Sequence, residues 1–559
     1  MNYGKLAELL LPNILKNTEY YEKLYPKREL ANGAIVTRFA PSPTGFMHIG
    51  GMFVSLASER LAHQNNGIFY LRIEDTDDKR YVEGAIDLIV TSLKDYGINF
   101  DEGATIDGQN GDYGNYYQSN RVEIYQTYVK DLIRKGLAYP CFLTSEELED
   151  IRSKQEELKS NYGIYGDWAI YRNLSYDEIK SKIDAGIPYV IRLKSDGNLE
   201  LPKEQIKMIS VEDGIRGTLT MPENNQDVVI LKTNGVPTYH FAHAIDDHLM
   251  RTTHVIRGAE WLPSLPIHIE LFNKLGFEIP TYCHTAQLMK IDETGSKRKL
   301  SKRKDPELTM SFYKEMGYHP IAVKEYLMVL LNSNFEEWRI ENPTLPLEDF
   351  KFSINKMGNS GALFDINKLE DVSKTVLSKL SAEEIYEFVL DWAKDNNEKA
   401  YELLLKDKDY ACNAINIGRT GDKPRKDLIY AKQIFEFISY FYDECFIIPD
   451  EKPSKIEKED SVIILHEYKN SYNHTDEQSQ WFERIKEICA KLNYAVRPKD
   501  YKKNPDQYKG HVGDVSEWIR FAVTGRTQSP DLWEIQQTLG CKKTIERIDN
   551  LISITDMCL

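Results

Sequence analysis

The chain has 559 residues, of which 41% are hydrophobic and 28% charged, and it carries a net charge of −16. That length exceeds one ordinary domain and that balance excludes disorder over most of it. The absence of any eighteen-residue apolar run excludes a membrane-spanning helix, and the acidic mean field excludes polyanion binding except through local basic patches. Residues 1–30 read as a short helix with a tyrosine-rich tail. Pro12 interrupts the apolar stretch Leu9–Leu15, and Glu19 and Glu22 follow, which makes a poor secretory signal. Ala34–Ala40 (AIVTRFA) predicts a buried strand, ended by the turn Pro41-Ser-Pro-Thr-Gly45. The spacing of Phe53, Leu56, Ala57 and Leu61 predicts a helix over 50–63. Ile68–Ile73 predicts a second strand, followed by an acidic cluster at Glu74, Asp75, Asp77 and Asp78 and a helix over about 83–96. Strand–helix–strand–helix argues for a parallel sheet with covering helices.

A second block of the same character starts near Asp227. Val228–Leu231 predicts a strand, Phe241–Leu249 a helix and Thr253–Arg257 another strand. Residues between the blocks are rich in Glu, Lys and turns, and read as an insertion between two halves of one nucleotide-binding sheet. Beyond about 320 the helical period dominates, as at 321–331, 380–394 and 432–442, and no fixed-period repeat occurs. The predicted fold is therefore α/β: a Rossmann-like parallel-sheet domain with an inserted α+β domain, followed by an all-helical region. The seven cysteines are sparse and odd in number, which fits a reducing cytoplasm better than a disulfide framework.

A strand, a tight turn and a helix start make a phosphate site, because the helix end offers unpaired N–H groups and a favourable dipole. Here the turn leads through His48 to the pair Gly50-Gly51 and contains neither Gly-x-Gly-x-x-Gly nor Gly-Lys-Ser/Thr. Support for a dinucleotide enzyme or an ordinary P-loop NTPase is lost accordingly. His48 alone is more often a helix cap. The run at 297–304, six cations in eight positions, is alone more often a solvated basic loop. Together they fit one mechanism: a triphosphate held on one side by the first half-sheet and on the other by a mobile basic loop after the second.

These strings resemble a family. His48-Ile-Gly-Gly51 is similar to the HIGH signature, and Lys299-Leu-Ser-Lys-Arg303 to the KMSKS signature, of class I aminoacyl-tRNA synthetases. Thr37–Gly45 (TRFAPSPTG) and Arg72–Asp77 (RIEDTD) narrow the resemblance to the glutamyl/glutaminyl branch. Pro237–His240, Asp246–His248, Val255–Arg257 and Glu260-Trp261 agree with it. It covers residues 34–306 well and reaches Phe521–Asp531, which is similar to the anticodon-binding end of bacterial glutamyl enzymes. The organisation it implies is an N-terminal extension at 1–30, a catalytic domain at 31–110 and 226–320, and an inserted acceptor-binding domain at 111–225. A stem-contact helical domain at 321–375 and a helical anticodon-binding domain at 376–559 complete it.

The resemblance implies ATP-dependent attachment of glutamate to the 3′ end of its tRNA through a glutamyl-adenylate. It assigns His48, Lys299 and Lys302 to the phosphates, and Thr44, Gly50, Gly51, Glu260, Leu288 and Met289 to the rest of ATP. Arg38 falls on the side-chain carboxylate of glutamate, Ala40 and Ser42 on the pocket wall, and Glu74 on the ammonium. Tyr239, His243 and Arg257 close the site, with His243 standing where bacterial relatives commonly have asparagine. An arginine at 257 suits a charged substrate carboxylate, since facing a neutral amide would leave it unpaired at a cost of roughly 3–5 kcal/mol. Magnesium is expected on the ATP phosphates, with no protein metal site. Cys141 has no cysteine companion before Cys283, so four zinc ligands cannot assemble. The expected partner is glutamate tRNA, with glutamine tRNA as an alternative, and the expected state is a monomer. A glutaminyl enzyme would carry a β-barrel C-terminal part, and an enzyme that glutamylates a tRNA base would lack the helical annex. A non-catalytic paralogue would not need both His48 and Lys302.

Overall fold

The computed structural model describes residues 1–77, 81–201, 205–301, 303–421, 424–453 and 455–556. Two short helices, α1 (Tyr3–Leu10) and α2 (Thr18–Leu24), precede the strand β1 (Val36–Phe39). The helix α3 (Ile49–His63), the strand β2 (Ile68–Leu71) and the helix α4 (Ala85–Asp95) follow, then β3 (Glu102–Thr105) and β4 (Gly108–Asn110). All four residues of β1 are buried, as a parallel strand covered on both faces requires. β1 pairs with β2 and β2 with β3 in parallel, and β4 closes that edge as an antiparallel hairpin. Gly45 sits at φ +132° in the turn after β1, a backbone region that side-chain-bearing residues avoid.

The next segment comprises α5 (Val122–Arg134), β5 (Ala138–Cys141), α6 (Ser145–Glu157), α7 (Tyr176–Asp184), β6 (Val190–Leu193), β7 (Met208–Asp213), β8 (Gly217–Pro222) and β9 (Val229–Leu231). Capping boxes at Thr144/Glu147 and Ser175/Glu178 fix the starts of α6 and α7. The second block is α8 (Tyr239–Leu249), β10 (His254–Gly258), α9 (Leu265–Leu275), β11 (Thr281–Thr285), β12 (Leu288–Ile291) and β13 (Lys297–Lys299). β10 and β11 pair in parallel. Thr253 donates its amide to Val36 O (3.0 Å), which sets β10 beside β1 and joins the two halves.

One strand and one hairpin differ from the sequence reading. β9 belongs to an antiparallel sheet with β5 and β6, not to the second parallel half. The hairpin β7–β8, which falls in the segment read as the insertion, reaches back instead to pair Asp213 with Tyr282 of β11. A run of apolar residues announces a strand but carries no information about which neighbour it takes.

The chain divides into two compact units, residues 1–310 with 324–365 and residues 311–323 with 366–559. The second is helical, with the core of an all-α assembly. Leu377, Ile385, Val389, Ile434, Ile464, Ile485, Ile519 and Ile548 belong to one buried cluster there. Gly525 (φ +69°) stops the helix Val512–Thr524, and a Cβ there would collide with Ile447 O. Among the described residues no helix is long and apolar enough to cross a membrane, and none of the described cysteines is in a disulfide.

Candidate active site

The C-terminal ends of β1, β2 and β10 meet, which is where ligands enter an open parallel sheet. Arg38 leaves β1, Glu74 follows β2 and Arg257 lies on β10, all three buried. Glu74 is tied to the turn after β1 by its amide, which donates to Pro41 O (3.0 Å). Beneath them stands Asp247 of α8, which accepts from Arg72 Nη1 at 2.6 Å and lies 3.4 Å from Arg38 Nε. Burial alone would raise Asp247, but Arg72, Arg38 and His243 hold it well below the usual carboxylate range. Arg38 also donates to Ile256 O (3.3 Å).

Glu74 accepts from Arg72 Nη2 at 3.2 Å. Burial pushes it up to about 7, with Arg72 and Arg38 opposing. Tyr239, at the start of α8, stacks its ring 4.4 Å from that of Trp261, and burial beside Glu74 lifts its hydroxyl to about 12. His243 presents Nε2 to Tyr282 Oη (3.0 Å) and Nδ1 to Asp247 (2.9 Å), and burial brings it down to about 4. It therefore spans two protein groups rather than lining open space.

Arg257 differs from the other two arginines. Its Nε donates to His284 and its Nη1 to His268, while the buried Nη2 has no hydrogen-bond partner among the described residues. Its guanidinium also lies over the Tyr282 ring, 4.7 Å from the centroid. Arg72 and Arg38 share Asp247, whereas Arg257 touches no carboxylate among the described residues, and a buried guanidinium with a spare N–H is a receptor for an anion.

The side expected to take the nucleotide is built around the turn that ends at His48. His48 occupies the N-cap of α3, with no cap hydrogen bond from its side chain. A Cβ on Gly50 would meet nothing within 4 Å, leaving its backbone approachable by a flat group, whereas Gly51 packs against Met47 and Phe39. Thr44 and Ser42 are exposed and Ala40 is half-buried. Leu288 and Met289 sit on β12, and Met289 pairs with Lys299 of β13. Glu260 is exposed on the turn after β10, near Gln287.

The basic run was expected to be a mobile loop, yet its first three residues form β13. Arg298 grips Asp305 with two hydrogen bonds of 2.6 and 2.7 Å, which hold Asp305 well below the usual carboxylate range. Lys299 is exposed, and Lys302 lies outside the described residues. The run returns to the first half-sheet: Thr309 bridges His48, and Met310 donates its amide to Met47 O (3.1 Å). The two signatures, far apart in sequence, thus frame one turn.

Asp246, Asp247 and His248 are scaffold. Asp246 receives Arg121, Gln118 and Tyr125, and His248 meets Glu22. Of the acidic cluster, Asp75 holds Ser119 through both carboxylate oxygens, and Asp78 lies outside the described residues. Sequence reasoning missed Arg72, Asp247, His268, His284 and Asp213 as site residues. The available signal was a charged or imidazole side chain inside an apolar strand, Arg72 after FYL and His284 after YC.

In the helical unit a cavity of ≈ 430 Å³ is lined by Gln478, Trp481, Phe482, Arg520, Asp531 and Leu532 among others. Asp531 caps the helix Leu532–Leu539, and Arg520 is held by Ser529 Oγ (3.0 Å).

Residues 34–371 match the family model described as tRNA synthetases class I (E and Q), catalytic domain, and residues 425–552 match an anticodon binding domain. A glutamate–tRNA ligase of Acetivibrio thermocellus is 57% identical over 553 residues, 99% of this chain and 100% of that protein. One from Clostridium perfringens is 51% identical, covering 98% of this chain and 100% of its own length. A crystal structure of a glutamate tRNA ligase from Elizabethkingia meningosepticum, in complex with its amino acid, superposes with a TM-score of 0.74 at 28% identity. It covers 93% of this chain and 99% of that one.

Proposed function

The chain belongs to the glutamate–tRNA ligases, class I aminoacyl-tRNA synthetases that attach glutamate to tRNA, and from that premise we propose how its own residues carry the reaction. Glutamate enters the pocket at the ends of β1, β2 and β10. Its side-chain carboxylate meets the spare N–H of Arg257, with Arg38 alongside. Its ammonium meets ionised Glu74, and Tyr239, Ala40 and Ser42 shape the wall, with His243 behind them bracing Tyr282 and Asp247. ATP lies along the turn from Thr44 to Gly51, its adenosine between Gly50 and Gly51 on one side and Leu288, Met289 and Glu260 on the other.

The α-carboxylate of glutamate attacks the α-phosphorus, and pyrophosphate leaves with the bridging electron pair. No side chain becomes a nucleophile; the work is alignment and charge neutralisation. His48 donates to a phosphate oxygen from the α3 end, while Lys299 and Lys302 supply charge from the β13 side. The terminal tRNA ribose hydroxyl then takes the acyl group and AMP departs. Among the described residues no three His, Cys, Asp or Glu side chains gather so as to hold a metal. Magnesium, usual for the family, would ride on the ATP phosphates, where it would neutralise charge on the pyrophosphate. The enzyme works in the cytoplasm as a monomer on glutamate tRNA.

The observation that carries this reading is the buried guanidinium of Arg257 with no carboxylate of its own. ATP–pyrophosphate exchange, measured with tRNA present, tests it. Glutamate and not glutamine drives exchange in the wild type. Arg257→Gln raises KM for glutamate roughly 30-fold or more, as loss of a buried charge-assisted contact requires. Lys302→Ala lowers the rate at saturating substrates roughly 10²-fold. An unchanged KM for glutamate in Arg257→Gln would overturn the assignment of the pocket.

A further inference from the structure

Arg257 is gripped from behind by a chain of hydrogen bonds whose directions can be deduced. An arginine only donates, so His284 Nε2 (2.9 Å from Arg257 Nε) and His268 Nδ1 (3.1 Å from Nη1) must both accept. Each ring therefore carries its proton on the other nitrogen. Both protons are received: His284 Nδ1–H by Asp213 Oδ2 at 2.6 Å, and His268 Nε2–H by His240 Nδ1 at 3.0 Å. Burial is the main cause that pushes all three histidines down; the charge of Arg257 adds to it, and Asp213 opposes it at His284. Asp213 is itself fixed, because its Oδ1 takes the amides of Ile215 and Arg216, each at 2.9 Å. It stands at the end of β7, the strand that reaches back to pair with β11.

This arrangement aligns a cation without neutralising it. A carboxylate against Arg257 would orient the guanidinium equally well, but it would compete with the substrate for the charge. Imidazole acceptors orient it and leave the charge, and Nη2, for an incoming anion. We propose that Asp213, His284 and His268 are positioning residues that set the preference of this site for a carboxylate-bearing side chain over its amide. The proposal rests on the reading that Arg257 meets the side-chain carboxylate of glutamate.

Asp213→Asn is the sharpest test. If its carbonyl oxygen keeps the Ile215 and Arg216 amides, its NH₂ faces His284 Nδ1 and turns the ring to the other tautomer. His284 Nε2–H then opposes Arg257 Nε–H, donor against donor. KM for glutamate is expected to rise roughly tenfold or more, with KM for ATP within about twofold and kcat less affected than KM. The glutamate-over-glutamine ratio of kcat/KM should fall with it. A second pair keeps the test informative if Asp213→Asn fails to fold. His268→Gln, which retains a neutral acceptor, should stay near wild type, whereas His268→Glu should raise KM for glutamate by a similar factor with ATP binding intact. Arg257→Gln is run alongside. If it leaves KM for glutamate unchanged, the reading of the pocket fails. If it raises KM while Asp213→Asn and His268→Glu do not, the positioning proposal is overturned and the pocket reading stands.

Discussion

On the proposed reading Glu74 must be charged to hold the ammonium of glutamate, yet it lies where charge is costly. Burial lifts it to about 7, and only Arg72 and Arg38 keep it from going higher. The sign follows directly. Below about 7 the free enzyme carries Glu74 protonated and neutral, so kcat/KM for glutamate should fall as pH drops, approaching tenfold per unit. Above that pH the carboxylate is ionised and the profile levels off. Glu74→Gln should remove this limb and lower the plateau roughly 10²-fold, since an amide cannot replace a buried charge-assisted bond. A wild-type profile flat from pH 6 to 8 would show that burial does not raise Glu74 in this way, and an unchanged plateau in Glu74→Gln would remove it from the ammonium. That Glu74, Arg38 and Arg257 would be candidates was legible because each stands within a family string, and the structure buries all three at the ends of β1, β2 and β10. Their supports were not, because the partners are distant in the chain: Arg72 and Asp247 lie 175 residues apart, and Asp213 and His284 are separated by 71. No local pattern announces that a strand arginine and a helix aspartate will share a hydrogen bond. What local sequence does show is the cost, a polar side chain placed inside an apolar strand, and that cost has to be met by some partner.

The N-terminal helices show what an element can do without touching the chemistry. The sequence marked residues 1–30 as an extension and gave them no role. In the structure α1 buries Leu6, Ala7 and Leu10 in the core shared with α5, and Glu8 receives Lys130 and Arg134 from that helix. Glu22 of α2 takes His248 and Arg251, and Arg28 grips Glu102 of β3 with bonds of 2.7 and 2.9 Å. Tyr25 Oη donates to Gly114 O (2.7 Å) and receives Arg121, which in turn holds Asp246. The extension is thus stitched to α5, α8 and β3, the elements behind the pocket. Leu6→Ala should destabilise the first unit by about 2–4 kcal/mol, the cost of a cavity in a packed core. It should appear as a lower melting temperature with kcat nearly unchanged, and an unaltered melting temperature would mean that α1 contributes no core. Helix periods made the elements themselves readable, α3, α8 and the C-terminal helices among them. Pairing partners were less so: β9 was recognisable as a strand and the hairpin β7–β8 was not read at all, and a strand's sheet is chosen by contacts that a short apolar run does not encode.

An acidic chain that handles RNA must concentrate its recognition into small places, because its net charge of −16 opposes the phosphate backbone everywhere else. The helical unit offers such a place. Its cavity joins a half-buried arginine, Arg520, with the aromatic side chains of Trp481 and Phe482 and the amide of Gln478. An unstacked base could lie against an aromatic face while Arg520 and Gln478 address its edge, which is how single-stranded bases are commonly read. The helical period showed that an α-domain was present, but the cavity is assembled from residues 478–482, 516–520 and 531–532, and no local string contains it. Arg520→Ala should therefore raise KM for glutamate tRNA roughly 10- to 100-fold, the worth of about 1–3 kcal/mol for one base contact. At saturating tRNA, KM for glutamate should be unchanged, because Arg257 and Glu74 are untouched. Phe482→Ala should act in the same direction, and its effect should combine with that of Arg520→Ala less than additively if both groups hold one base. Charging measured with purified glutamate tRNA and glutamine tRNA separates two cases. A loss confined to the glutamate tRNA marks the cavity as a reader of sequence, an equal loss on both marks it as a general contact, and no loss on either removes the cavity from tRNA recognition.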